Sequence, residues 1–192
     1  MRSRNQAVVF AGIGSARLAS ALLDPVLRAS GGRRVKQIGG TLLYIFDLPS
    51  AAVHCAGALL ERARREGVLP QLRVGVQLGD VRLAQGDIFG DPVNLASRIE
   101  SSCGPGEVLL GEAVWLSMPH EGVQVEDLGT RTMKGVPEAI RLFKLVSVTG
   151  AEELVDRLEL EPPHWRERVS IFIGAGLAAM LLFAALFRWV RS

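Results

Sequence analysis

The sequence predicts an α+β fold, in which strands and amphipathic helices alternate along most of the chain. Apolar and polar residues alternate with period two in residues 72–77, as in a half-buried strand. Residues 51–66 instead repeat apolar positions with a helical period and end at Gly67, a favourable helix C-cap. Gly39 and Gly40 separate two β-branched and aromatic segments in the manner of a hairpin turn. Together these observations favour an α+β sandwich.

The first half of the chain supplies strands on either side of a helix. Residues 7–13 form a short apolar run that we expect to be a buried strand. A helical period over residues 15–30 is interrupted at Pro25, which is tolerated near a helix start, so we expect one helix that restarts there. Residues 35–46 predict a strand pair, and the amphipathic helix at 51–66 follows it.

The second half begins with a stretch rich in motifs, residues 72–107. The alternating segments on either side of Gly79 and Asp80 predict a hairpin that turns there. A helix begins at Val93, since Val93, Ala96 and Ile99 share one face. The remaining expected elements are a strand at 108–110, a short helix at 112–117 and closing strands at 123–128 and 140–148.

Composition argues against some classes of function. The 192-residue chain is 48% hydrophobic, which is enough for one core and an appendage. Its net charge of +2 and its scattered basic residues do not favour nucleic-acid binding. Cys55 and Cys103 are far apart, so we expect two buried free thiols in a reducing compartment. The histidines have no partners at metal-ligand spacing, and we assign them no metal site.

Asn94 and Arg98 lie four residues apart and therefore side by side on the helix that begins at Val93. An amide and a guanidinium on one face suit a phosphorylated ligand, because the planar fork of arginine pairs with phosphate oxygens. The plainer alternative, which spacing alone leaves open, is a surface helix with an unpaired arginine.

Several ordered blocks of sequence resemble one known family. The most specific is GDIFGDPVNLASRIE, preceded by RVGVQLGDV and followed by GPGEVLLGEAV. On either side, in the same order as in that family, are VVFAGI, VKQIGGTLLYIF and DLGTRTMKGVPEAIRLFKLV. These blocks resemble the class III adenylate/guanylate cyclase homology domain of bacterial type. The resemblance implies the nucleotide cyclase fold, a ferredoxin-like antiparallel sheet with flanking helices, over residues 1–148.

The resemblance also implies roles for five side chains. Lys36 and Asp87 match the pair that reads adenine, and Asn94 and Arg98 match the residues that orient the ribose and stabilise the transition-state phosphate. Lys134 matches the lysine that binds the triphosphate. Each has a plainer interpretation: a solvated lysine for Lys36 and Lys134, a turn residue for Asp87, a helix-start residue for Asn94.

The family's metal ligands have no counterpart in this chain. Cyclases hold two divalent ions with two aspartates, and the resemblance places Gly12 and Gly40 at those positions. We therefore expect no cofactor bound through the family's own ligands, and Mg²⁺ or Mn²⁺ only if a partner supplies the aspartates. Family members dimerise head to tail, which implies a homodimer, or a heterodimer with another cyclase domain, with ATP as a possible ligand.

The last part of the sequence predicts a membrane anchor. Residues 149–168 are acidic and end in prolines, as expected of a linker. Residues 169–190 contain an uncharged run flanked by Trp165 and Trp189, long enough at ~1.5 Å per residue to span a ~30 Å hydrocarbon core. A buried core helix is the alternative. We expect a single-pass tail anchor with the globular domain in the cytoplasm, and a small-residue face that packs on another helix or faces lipid.

Three functions are compatible with these observations. The first is a membrane-anchored adenylate cyclase-like signalling protein that is catalytically deficient as a homodimer and retains nucleotide recognition. The second is the active base-binding half of a heterodimeric adenylate cyclase, which converts ATP to cyclic AMP and pyrophosphate. The third is a dimerisation scaffold without enzymatic activity.

Overall fold

Eight strands form one sheet, with β1 and β4 at its centre. The computed structural model describes residues 3–133, 135–136 and 138–160, and in it the strand order is β2-β3-β1-β4-β6-β8-β7, with β5 paired to β4. The strands are β1 Ser3–Ile13, β2 Arg33–Ile38, β3 Thr41–Phe46, β4 Leu72–Ala84, β5 Asp87–Phe89, β6 Glu107–Gly111, β7 Val123–Arg131 and β8 Ile140–Val148. The chain divides into two units, Met1–Val155 and Asp156–Ser192, and the whole sheet lies in the first.

The predicted antiparallel sheet is confirmed with one exception. All neighbouring strands are antiparallel except β4 and β6, which run parallel from Arg73 opposite Glu107 to Val76 opposite Leu110. The helix at Asp91–Ser102 connects the β4–β5 hairpin to β6. This crossover brings the chain back to the end of the sheet at which β4 begins, so β6 runs parallel to β4. The α+β architecture that the sequence predicts is therefore correct.

Helices flank the sheet and bury its apolar side chains. They are α1 Ala16–Leu18, α2 Asp24–Ala29, α3 Pro49–Arg65, α4 Asp91–Ser102, α5 Glu112–Leu116 and α6 Ala151–Leu160. One core cluster joins the sheet to α4 and contains Val8, Phe10, Leu43, Ile45, Val81, Ile88 and Ala96. Close approach of α4 depends on Gly75, because a Cβ there would lie 2.4 Å from the Glu100 backbone nitrogen.

The predicted hairpin at Gly79 and Asp80 is wrong. Residues Leu72–Ala84 form one continuous strand, and β1 pairs with it from Leu72 to Arg82, so Gly79 and Asp80 have cross-strand partners and cannot turn. The missing side chain of Gly79 instead admits the Pro92 ring, whose Cγ would lie 2.4 Å from a Cβ at residue 79. The turn comes later, at Gln85 and Gly86, which adopt φ angles of 52° and 80°.

The helix predicted over residues 15–30 forms as expected, including its break. Between α1 and α2 the chain makes a π-helical turn at Ala19–Leu23, and Asp24 with Pro25 then opens α2. The wider turn accommodates Pro25, which has no backbone N–H to donate. Asp24 is held there by the buried Tyr44, whose hydroxyl donates to its carboxylate at 2.5 Å.

The region predicted as a linker contains a helix. α6 begins after Gly150 and carries Glu152 and Glu153 in its first turn, where carboxylates interact favourably with the helix dipole. Val155 of this helix is fully buried, which ties its start to the first unit. The proposed membrane segment at 169–190 lies outside the described residues. Among the residues that the structure does describe, none belongs to a helix long and apolar enough to cross a bilayer.

Candidate functional site

Lys36 and Asp87, which the family resemblance assigns together as a pair, form an ion pair. The Lys36 Nζ atom on β2 lies 2.5 Å from Asp87 Oδ2 on β5, although the two residues are far apart in sequence. The hydrogen bond from Lys36 is the main reason that the pKa of Asp87 is lowered, and the Ile88 backbone N–H adds to the effect. Both side chains remain partly exposed, at 41% and 33%, so a ligand can reach them.

Local backbone features bring this pair together. A bulge in β2 between Arg34 and Lys36 changes the register of that strand against β3. The turn at Gln85 and Gly86 folds β5 back onto β4, with Asp87 opposite Ala84. Because the pair joins two hairpins, its geometry depends on long-range folding that local sequence does not encode.

Asn94 and Arg98 both lie on α4 and are exposed. This helix begins after Gly90, whose φ of 144° is a conformation that glycine adopts readily. Lys134 lies outside the described residues, but its neighbour Gly135 lies near α4: Arg98 Nη2 is 3.9 Å from the position that a Cβ on Gly135 would take. The loop after β7 therefore approaches the same helical face as Arg98.

Gly12 and Gly40 face a second region, which we name the glycine cleft. It is a cavity of about 370 Å³ beside the ends of β1, β3 and β4. Its lining residues are Gly12, Ile13, Gly14, Gly40, Thr41, Pro70, Gln71, Arg73 and Glu100. Gly12 lies opposite Thr41 in β3 and opposite Arg73 in β4, so sheet register places a hydroxyl residue and a guanidinium residue on either side of it.

The Glu100 side chain occupies the space beside Gly12. A Cβ built on Gly12 would lie 2.6 Å from Glu100 Oε1 and 2.9 Å from Thr41 Oγ1. Burial raises the pKa of the Glu100 carboxyl, and the positive charge of Arg73 opposes that shift. Within the part of the chain that the structure describes, this carboxylate receives no hydrogen bond. The cleft thus contains one carboxylate and one guanidinium.

These residues do not fit a divalent cation. Mg²⁺ and Mn²⁺ prefer several carboxylate or other oxygen ligands, and a neighbouring guanidinium repels a dication. The described residues contain no group of three or more His, Cys, Asp or Glu that could hold a metal ion. At residue 40 a side chain would also press on backbone, since its Cβ would lie 2.9 Å from the Ile13 carbonyl oxygen.

Arg73 and Glu100 are the cleft residues that sequence reasoning missed. In the sequence, Glu100 is one of several polar residues of its helix, and Arg73 is a polar position of an alternating strand. Their proximity to Gly12 follows from the β1–β4 register and from the packing of α4 on Gly75. The only sequence signal was Gly75 itself, a glycine within a strand, which marks close backbone approach.

Comparison with known families gives one consistent result. A family model described as "Adenylate and Guanylate cyclase catalytic domain" matches residues 18–147, more than half of the chain. The chain is 30% identical over 131 residues to an uncharacterised protein of Mycobacterium tuberculosis, covering 65% of this chain and 32% of that protein. It is 30% identical over 162 residues to the putative adenylate cyclase 3 of Rhizobium meliloti, covering 79% and 27% respectively.

Solved structures show the same similarity. An adenylate/guanylate cyclase/hydrolase from Silicibacter pomeroyi is 29% identical, with a TM-score of 0.65 over 76% of this chain and 98% of that one. The adenylyl cyclase CyaB from P. aeruginosa shares the fold, with a TM-score of 0.62 at 19% identity over 76% of this chain and 95% of that one. The chain spans less than a third of the length of the curated relatives described above.

Proposed function

Since the chain belongs to the adenylate and guanylate cyclase catalytic domain family, we propose that it is a cyclase-like signalling module that recognises ATP but turns it over poorly as a homodimer. The Lys36–Asp87 pair is the observation that carries this proposal. We further propose that residues 169–190 anchor the module to a membrane as a single-pass tail, with the globular domain in the cytoplasm.

Recognition of adenine follows from the chemistry of the pair. The Lys36 ammonium is a donor for a ring nitrogen, and the Asp87 carboxylate is an acceptor for the exocyclic amine. Adenine presents this acceptor and donor on neighbouring atoms, whereas guanine presents a carbonyl and a ring N–H instead. The ion pair holds both groups at one place before any base arrives.

The residues on α4 supply the other half of the reaction. In cyclisation, the ribose 3′ oxygen attacks the α-phosphorus, the bond from that phosphorus to the β-phosphate oxygen breaks, and pyrophosphate leaves. We assign Asn94 to orienting the ribose and Arg98 to stabilising charge on the transferring phosphate. Lys134 would bind the triphosphate. The exposure of Asn94 and Arg98 is compatible with a site completed by a second chain.

The proposed deficiency rests on the glycine cleft. Divalent ions in a cyclisation site activate the attacking oxygen and neutralise the triphosphate, a contribution of several kcal/mol. At ~1.4 kcal/mol per tenfold in rate, their loss predicts a fall of several decades. Because the donor set of this chain does not suit such an ion, a homodimer has two sites with this defect.

A heterodimer is the second candidate function. The chain carries the base-reading and phosphate-orienting residues and lacks the metal ligands, so a partner cyclase domain with both aspartates would complete one site. Mg²⁺ or Mn²⁺ would then be held by that partner. A scaffold without ligand binding is the remaining possibility, and nucleotide binding distinguishes it from the other two.

The direct test is nucleotide preference in the full-length chain. Calorimetry with ATP and with GTP should show tighter binding of ATP, and Lys36→Glu/Asp87→Ser should shift the preference toward GTP. Arg64→Glu/Glu61→Ser is a matched control, because it removes another ion pair of the same charges on α3. An ATP:GTP ratio that is the same in all three proteins would refute the assignment, and absence of ATP binding would favour the scaffold.

A further inference from the structure

The bulge in β2 decides which face of the sheet each side chain of this strand occupies. Before the bulge Arg34 lies opposite Tyr44 of β3, and after it Lys36 lies opposite Leu43, so Val35 is the extra residue. Leu43 belongs to the core cluster that α4 covers, whereas the Tyr44 hydroxyl reaches α2. Lys36 therefore lies on the α4 face of the sheet, and Arg34 lies on the α2 face.

In a regular strand, Lys36 would face away from Asp87. If the pairing continued from Arg34 without the bulge, Lys36 would lie opposite Leu42, on the same face as Tyr44. This follows because side chains alternate along a strand, and a shift of one residue moves each of them to the other face. The 2.5 Å contact between Lys36 and Asp87 forms on the α4 face, so it depends on the shifted register.

Two side chains of β2 bridge the bulge on the α2 face. Arg34 Nη2 donates to Gln37 Oε1 at 2.8 Å. Arg34 Nη1 also donates to Asp24 Oδ1 on α2 at 3.1 Å, and Gln37 Nε2 donates to the Ala16 carbonyl oxygen on α1 at 2.9 Å. Residues three apart in a regular strand point to opposite faces, so these bonds require the bulged register. We name Arg34 and Gln37 the bulge clamp.

We propose that the two residues of the bulge clamp are positioning residues for base recognition: they hold the shifted register of β2, and that register directs Lys36 toward Asp87. The inference rests on the proposed function, because the clamp acts on a nucleotide only through Lys36. A bulge leaves one residue unpaired and disrupts the ladder. The clamp bonds, together with the packing of Val35 against the core cluster, offset that cost.

The first test breaks the bulge clamp at Gln37 in the full-length chain. Gln37→Leu removes the acceptor for Arg34 and the donor to α1, so we expect Lys36 to move away from Asp87. The hydrogen bond from Lys36 lowers the pKa of the Asp87 carboxyl, and NMR titration should therefore show a higher pKa in the variant. The preference for ATP over GTP, measured by calorimetry, should fall about tenfold, as expected for loss of one hydrogen bond from a charged group.

Gln124→Leu is the matched control. Gln124 also lies beside a bulge in a strand at the end of the sheet, β7, and it also accepts a hydrogen bond, from the Ser147 hydroxyl at 3.0 Å. The same substitution there should leave the Asp87 pKa and the nucleotide preference at their wild-type values. Because a loss of stability alone would move neither quantity, the comparison separates a positioning role from a merely structural one.

A second variant breaks the bulge clamp from its other side. Arg34→Met removes the donor to Gln37 and should change the Asp87 pKa and the nucleotide preference in the same directions as Gln37→Leu. Arg28→Met is its control, since Arg28 also pairs with Asp24, at 2.8 Å, but lies outside β2. This second pair of variants keeps the proposal testable if Gln37→Leu does not fold, which circular dichroism would show.

The proposal is overturned if Gln37→Leu and Arg34→Met leave the Asp87 pKa at its wild-type value, or if either control raises it as much. A pKa that rises in both clamp variants would support the proposal even if the nucleotide preference did not change, a result that would contradict the proposed function alone. A preference for ATP with an Asp87 pKa that neither clamp variant moves would contradict this inference alone.

Discussion

The Lys36–Asp87 pair and the glycine cleft are two charged regions of one domain with different arrangements of charge. At the pair, Lys36 and Asp87 lie 2.5 Å apart on separate hairpins and remain partly exposed. In the cleft, two positions that the family resemblance assigns to metal ligands are glycines, and the nearby carboxylate belongs to a different element, α4. The first region is partly exposed to solvent, and in the second the Glu100 carboxylate lies beside Gly12 in an open cavity.

The comparison teaches that the packing of a fold and the residues of its site are set by different contacts. Helix α4 presents Asn94 and Arg98 to solvent on one turn, and on the next turn its Glu100 lines the cleft. Its packing on β4 does not depend on the metal ligands. The framework that positions Asn94 and Arg98 therefore stands without a carboxylate at residues 12 and 40.

The largest expected effect comes from the contact that places α4. Gly75→Ala would put a Cβ 2.4 Å from the Glu100 backbone nitrogen and 2.5 Å from the Ala96 carbonyl oxygen. Because backbone cannot move aside as a side chain does, we expect a loss of about 3 kcal/mol in the free energy of unfolding. Urea denaturation would measure it.

Gly12→Ala is the control for that prediction. Its nearest contacts are the ends of the Glu100 and Thr41 side chains, which can rotate, so its cost should be about 1 kcal/mol or less. Equal costs for the two substitutions would show that α4 is not held by close approach at Gly75.

A smaller loss of stability is expected at Tyr44, on the strand β3 that pairs with β2. Tyr44→Phe removes the hydrogen bond to Asp24, which also accepts from Arg28 and from Arg34 of β2. Removing one bond to a half-buried charged group costs about 2 kcal/mol. Ser20→Ala, which removes a hydrogen bond at the surface, should cost much less.

The difference in stability between the wild type and Tyr44→Phe depends on pH with a defined sign. Burial alone would raise the pKa of Asp24, but the bonds from Tyr44 and Arg28 and the charge of Arg34 together lower it. A carboxyl with a lowered pKa in the folded state stabilises the protein above its unfolded pKa, and that contribution is lost as pH falls through the folded value. The gap between wild type and Tyr44→Phe should therefore narrow below about pH 3.9. A gap that widens on acidification would contradict this account.

The Lys36–Asp87 ion pair should contribute to nucleotide binding and little to stability. Exposed pairs contribute weakly to folding, so Lys36→Ala and Asp87→Ala should melt within a few degrees of the wild type. Each should nevertheless weaken ATP binding at least tenfold if the pair reads adenine. The lowered pKa of Asp87 keeps this acceptor charged at neutral pH, so affinity should be level near neutrality and fall only in acid.

The smallest expected effect concerns the reactivity of the two buried thiols, Cys55 and Cys103. Burial raises the pKa of both thiols to about 12, and Cys103 also donates to the Val74 and Ile99 carbonyl oxygens at 3.3 Å. Neither thiol should react with iodoacetamide at pH 8 within an hour in the folded protein. Rapid labelling of Cys103 alone would show that the end of α4 opens in the folded protein.

Local periodicity was sufficient for most of the strands and helices, including the break in the first helical segment, and the spacing of the two cysteines correctly predicted free buried thiols. Periodicity failed at Gly79 and Asp80, because a glycine–aspartate pair resembles a turn until the pairing of β1 along β4 is known. It also gave no signal for the Lys36–Asp87 contact as such, which the family resemblance alone suggested.

The cleft was the least predictable part of the site. A glycine in place of a ligand shows what is missing, but the sequence does not say which side chain fills the space. Glu100 reaches Gly12 only because α4 crosses β4 at Gly75, and Arg73 reaches it only through strand register. Such relations between distant elements require the folded structure.

The central claim is that this chain keeps nucleotide recognition and lacks the metal half of a cyclase site. Cyclic AMP production from ATP and Mn²⁺ tests it, measured for the full-length protein alone and mixed with a cyclase domain that has both metal-binding aspartates but lacks its own base-reading residues. We expect no cyclic AMP above background from either protein alone. Cyclic AMP formed by this chain alone would contradict the account, whereas product from the mixture would identify it as the base-reading half of a heterodimer.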